Sequence, residues 1–157
     1  MAGGCAVVTA SSGVGIIELA DICATFRARS LDLFELTGGW VRDTEDPARQ
    51  RWFAEASHRH AWQAELWAER SPSIPPVDAD VLVAAHRVPT APTAEPARTD
   101  RYLASLDALL GELDGLEARL VPELDPSTLR TVARVRADLV GLRTAGAPPD
   151  GTDSTGR

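Results

Sequence analysis

Apolar side chains recur on one side of a 3.6-residue period along residues 15–41: Leu19, Ile22, Cys23, Phe26, Leu33, Phe34, Trp40 and Val41. Glu18, Asp21, Thr25, Arg29 and Asp32 fill the opposite arc. The pattern predicts an amphipathic helix, with Gly38-Gly39 weakening or bending its last turns. Asp43-Thr44-Glu45-Asp46-Pro47 then makes a turn and a helix start, with Asp46 as N-cap and Pro47 as the first helical residue. The second helix runs to about Arg70 and returns antiparallel, because the connection is so short. In residues 99–120, Tyr102, Leu106, Leu109, Leu113, Leu116 and Leu120 alternate spacings of four and three, a seam for a facing helix. Pro122 and the Asp125-Pro126 start signal set off a fourth helix, residues 126–143, whose inner face is Leu129, Val132, Val135, Leu139 and Leu142.

Residues 71–100 differ in kind. Pro72, Pro75, Pro76, Pro89, Pro92 and Pro96 leave room only for a short helix over 78–86, with Asp78 as its N-cap. A connection of about thirty residues in a compact domain signals a crossover or a mobile segment. Residues 1–13 read as a disordered leader, and the Gly/Pro/Asp/Ser/Thr-rich residues 144–157 as a disordered tail. No strand pattern exceeds residues 6–9. The expected fold is all-α: a four-helix bundle over residues 14–143, built as two helical hairpins joined by one long crossover.

With 157 residues, 44% apolar and 25% charged, the chain suffices for one domain with a sizeable core. A net charge of −7 and a pI near 4.9 argue against nucleic acid as a partner, since phosphate contact needs a basic face. All 16 basic residues are arginine, which removes Schiff-base lysine chemistry and a P-loop lysine from consideration. No apolar run approaches the ~18 residues of a membrane span. The leader has no basic region before its small residues, so neither membrane nor secretion is expected, and the location expected is cytoplasmic. Cys5 and Cys23 read as free thiols of a reducing compartment.

Candidate chemistry concentrates in residues 51–72, which hold three of the four tryptophans and two of the three histidines. Glu55 and His58 are three apart, so a carboxylate and an imidazole share one face of the second helix, as metal ligands do in helix bundles. With Glu35 late in the first helix, and with two hairpins joined by one crossover, the chain resembles the ferritin-like superfamily. That resemblance implies a dinuclear iron or manganese site with one Glu from each of two helices and an E-x-x-H from each of the others. The sequence departs from the pattern. The fourth helix has no Glu or His, and its internal carboxylate, Asp138, turns from the centre of the apolar stripe. Asp107, Glu112, Asp114 and Glu117 on the third helix lie off the leucine seam. Glu55 and His58 themselves aim away from the second helix's apolar face, which favours an i,i+4 pair of Glu55 with Arg59 and a solvated His58.

His60 and Gln63 face the Trp52/Trp67 side of the second helix, and Arg27 sits near the middle of the first helix's apolar arc. These three predict either an internal polar network or a small-molecule pocket; the plainer reading is that Arg27 snorkels and His60 is simply hydrogen-bonded. Trp62 projects from the polar arc, as an interface anchor or as a residue covered by the crossover. Together with a second apolar edge at Leu103 and Leu110, it predicts a homodimer through the second or third helix, or a monomer in which residues 78–86 cover the patch. G-x-S-x-G is absent, and Gly13-Val14-Gly15 lacks the strand that a dinucleotide fingerprint needs. Two functional readings stand. One is a non-catalytic binding or interaction protein, of unknown ligand or protein partner, that keeps the fold without the complete metal site. The other is a metal-dependent oxidoreductase using Glu35, Glu55 and His58, completed by His86 and Glu95 or by another subunit.

Overall fold

A computed structural model describes residues 13–89 and 92–148; the cysteine at position 5, most of the expected leader and the end of the expected tail lie outside them. The described residues form five helices and no strand: α1 (Ile16–Asp43), α2 (Pro47–Arg70), α3 (Ala79–His86), α4 (Glu95–Glu117) and α5 (Pro126–Ala145). The four long helices lie close to where the apolar stripes put them. Asp46 caps α2, its carboxylate accepting from Ala48 N at 2.9 Å. Asp78 caps α3 in the same way, accepting from Asp80 N at 2.9 Å. At the other end of the chain, Gly146 stops α5 at φ 62, a conformation that glycine adopts without cost.

α1 and α2 form one antiparallel hairpin, α4 and α5 a second, and α2 packs on α5. One core unites them, drawing Phe26 and Trp40 from α1, Phe53 and Trp67 from α2, Leu106 and Leu113 from α4, and Val132 and Leu139 from α5. Trp67 stacks on Phe26 at 4.8 Å and is fully buried. Taking a tryptophan out of water contributes roughly 4 kcal/mol, from ~150–250 Å² at ~25 cal/mol per Å².

Two local expectations change, at Phe34 and at the start of α4. Gly38-Gly39 does not interrupt α1, which stays helical to Asp43. A Cβ at Gly38 would stand 2.9 Å from Ser57 Oγ, so the glycine lets α2 approach closely enough for that hydroxyl to donate to Phe34 O at 3.0 Å. Phe34 is 39% exposed instead of joining the buried stripe. α4 begins at Glu95, earlier than the expected 99, because a proline in a first helical turn forfeits no hydrogen bond. The short helix expected within the crossover is present as α3, so the described residues hold the four long helices and this fifth, short one. α3 lies on α1, with Val83 and Leu82 against Ala24, Ala28 and Leu31.

Candidate functional site

His60, one of the expected pocket residues, is fully buried and belongs to a directed chain of hydrogen bonds. Gln63 Nε2 donates to Asp138 Oδ2 at 2.5 Å, so the amide oxygen of Gln63 is left as an acceptor. His60 Nδ1, 2.9 Å from that oxygen, must therefore carry the proton. His60 Nε2 then accepts from the Tyr102 hydroxyl at 2.8 Å. Arg59 Nε completes the chain by donating to Asp138 Oδ1 at 2.7 Å. Burial holds the His60 imidazole down at about 4, against the smaller upward pull of Gln63 and Asp138. Burial likewise pushes the Tyr102 phenol up. Every side-chain polar atom of His60, Gln63, Tyr102 and Asp138 is committed to a neighbour, so the set fixes how α2, α4 and α5 meet.

Arg27, placed beside His60 and Gln63 by the helical projection, is elsewhere. Its guanidinium meets Asp80 of α3 at 2.9 Å. It is one of the ties that hold the crossover to α1, with His86 Nε2 on Asp21 at 2.8 Å and Arg87 on both Asp32 and Glu35. Asp21 and Asp32 belong to the arc of α1 opposite its main apolar stripe, and the crossover runs along it.

The metal candidates are spread in the same way. Glu35 is bound to Arg87 at 2.6 Å, Glu55 lies 3.9 Å from Arg59, and His58 is exposed. Among the described residues, no three His, Cys, Asp or Glu side chains are grouped so as to hold a metal ion. His86 is engaged by Asp21, and Glu95 stands in the first turn of α4. Cys23 is a free, buried thiol that burial pushes up to about 11, too high to supply a thiolate at neutral pH. Trp62 is 37% exposed, with the Arg134 guanidinium 6.0 Å above its ring, and residues 78–86 lie on α1. Leu103 and Leu110 pack partly buried against the core.

An accessible groove of about 700 Å³ lies between the second half of α1, the chain after α3 and the start of α4. Trp40, Leu36 and Gly39 line it from α1, Arg87, Val88, Pro89, Pro92 and Thr93 from the crossover, and Arg98 from α4. A second recess of about 260 Å³ shares Asp32, Leu36, Val88 and Pro89 with it. Arg98 is 9% exposed and sits 5.9 Å above the Trp40 ring. It donates from Nε to Thr93 O at 3.1 Å and from Nη1 to Thr44 Oγ1 at 3.3 Å. The Thr44 hydroxyl spends its own proton on Trp40 O, 2.8 Å away, and so is free to accept. Sequence reasoning missed this residue because it assigned position 98 to the crossover instead of to a helix.

The volume lies within the few hundred to ~1,000 Å³ usual for small-molecule clefts. Its lining offers recognition by cationic, acidic, aromatic and aliphatic groups and includes no histidine or cysteine. No helix among the described residues is long and apolar enough to cross a membrane. Comparison of the chain with protein-family models, curated proteins and solved structures finds no match to any of them.

Proposed function

We propose that this chain is a non-catalytic binding protein built on a ferritin-like helical bundle, and that the groove over Trp40 and Arg98 holds its ligand. The observation that carries the reading is the groove itself: a ligand-sized cleft walled by three separate elements and floored by a buried aromatic ring. Two hairpins that share one core across a long crossover support the ferritin-like assignment. The non-catalytic part rests on the commitment of the reactive groups. His60 is locked in its neutral form between Tyr102 and Gln63, Cys23 is a buried thiol, and Glu35 is held by Arg87.

Gly39 supplies a clean test. A Cβ built there meets nothing within 4 Å, so the side chain of Gly39→Leu starts from open space on the wall of the groove. The substitution also removes a helix-interior glycine, so the protein should melt at the same temperature or higher, by up to ~1 kcal/mol of stability. Small aromatic fragments should shift the Trp40 indole resonance of the wild type saturably, and Gly39→Leu should abolish those shifts. Fragments that fail to bind the wild type, or that bind the variant equally well, would remove the groove as the site.

A further inference from the structure

We infer that the ligand of this groove is an organic anion, a carboxylate or phosphate group on an apolar body, and that Arg98 is the residue that recognises its charge. The inference rests on the groove reading above and adds the ligand's chemical class. Arg98 is a cation nine-tenths removed from water, and removing an ion from water is compensated only by opposite charge or by full hydrogen bonding. Its two hydrogen bonds to described residues both go to neutral oxygens, and its third partner is the face of Trp40. A guanidinium has five N–H donors in a planar fork, of which these contacts use two. Among the described residues no carboxylate pairs with it. The acids that share the groove do not meet this need: Asp32 and Glu35 are both taken by Arg87. Asp43 stands exposed at the end of α1, next to the equally exposed Arg42.

An incoming carboxylate or phosphate supplies the missing charge and accepts from the guanidinium in the bidentate geometry that arginine favours. The body attached to it meets aliphatic surface, since Leu36, Val88, Pro89 and Pro92 line the same space. A bare inorganic anion would leave that surface wet, and a neutral molecule would leave Arg98 without a counter-charge. Both halves of the ligand are thus specified by different walls of one groove.

Four probes separate the parts: benzoate, phenyl phosphate, benzyl alcohol and inorganic phosphate, each titrated against the wild type, Arg98→Gln and Arg98→Lys at constant ionic strength. The readouts are the Arg98 Nε–H and Trp40 indole resonances, with circular dichroism melts to confirm folding. Benzoate or phenyl phosphate should bind the wild type at least about tenfold tighter than benzyl alcohol, a factor worth ~1.4 kcal/mol. Whichever of the two binds better identifies the carboxylate or the phosphate as the source of the charge. Arg98→Gln should erase that preference, and Arg98→Lys should retain part of it. Benzyl alcohol binding as well as benzoate and phenyl phosphate would overturn the anion while leaving the groove reading intact. Inorganic phosphate binding as tightly as phenyl phosphate would overturn the apolar body. Failure of all four probes to bind would overturn both the inference and the groove. Should Arg98→Gln not fold, the ratio of benzoate to benzyl alcohol on the wild type decides alone.

Discussion

The polar chain between α2, α4 and α5 and the ion pairs that fasten α3 to α1 use the same residue types to opposite effect. In the interior, Asp138 keeps only 10% of its side chain exposed and accepts from Gln63 and Arg59, while His60 and Gln63 are fully buried. At the surface, three of the four acids are open, Asp80 at 83% exposed, Glu35 at 61% and Asp21 at 59%, while Asp32 beside Arg87 is partly covered. Water competes for most of the surface pairs and for almost none of the interior bonds, so losing an interior partner strands a buried polar group, whereas a lost partner of an open acid is replaced by solvent. The contrast makes the interior chain a determinant of global stability and the crossover a region that opens locally.

The largest effect expected is at Asp138. Asp138→Ala leaves the Gln63 amide and the Arg59 guanidinium without their acceptor and should cost about 3–5 kcal/mol in urea unfolding. Asp138→Asn keeps one oxygen acceptor and should cost less. If Asp138→Ala loses under ~1 kcal/mol, the chain is not the stabilising element that its burial implies.

The next effect is pH dependence. His60 holds its proton less tightly in the fold, at about 4, than in the unfolded chain, near 6.5. Between these values the unfolded state binds the extra proton, so stability is complete above pH 6.5 and falls as the pH is lowered toward 4. A difference of about 2.5 units corresponds to about 3 kcal/mol in all. Gln63, Asp138, Arg59 and Tyr102 are the groups facing the imidazole, and carboxylate titration elsewhere adds its own slope at the acid end. His60→Gln removes only the histidine part, so subtracting its pH–stability profile from that of the wild type isolates the step. A difference that is flat from pH 6.5 to 4.5 would contradict the buried neutral imidazole.

Much of this fold was legible because each long helix carries its own record. The seam from Tyr102 to Leu120 and the stripe from Val132 to Leu142 are buried as their spacing required, and the caps at Asp46 and Asp78 followed from local chemistry. His60 and Gln63 announced a polar need on an apolar face, and the hydroxyl of Tyr102 in a seam of leucines announced another. The carboxylate at the end of their chain was not legible. Asp138 sits off the centre of its own stripe, and only the pairing of α2 with α5 turns it toward Gln63. Arg27 failed for the same reason, since its partner Asp80 belongs to a helix whose docking face no periodicity reveals. Arg98 was hidden by a boundary, because Pro96 reads as crossover until the helix is seen to start before it.

The smallest effect on global stability belongs to Arg87, and it sharpens the comparison most. Arg87 ties the end of α3 to Asp32 and Glu35 at once, so Arg87→Ala removes the double tie on that side of the crossover. Partly exposed ion pairs contribute ~0–1 kcal/mol each, and with two pairs lost the global unfolding free energy should fall by less than about 2 kcal/mol. The local consequence should be larger, because α3 then rests on α1 through a small apolar contact, Val83 and Leu82 against two alanines and Leu31, and through the solvent-open pairs Arg27–Asp80 and His86–Asp21. Amide hydrogen exchange over residues 79–89 should therefore accelerate in Arg87→Ala while α2, α4 and α5 keep their protection. The wild type should show the same selective acceleration in 1 M salt, where the screening length shrinks to about 3 Å. The His60 chain, shielded from ions, should not respond to that salt. A global loss in Arg87→Ala equal to that of Asp138→Ala, or an exchange pattern that rises evenly over all five helices, would mean that the crossover and the core unfold as one unit.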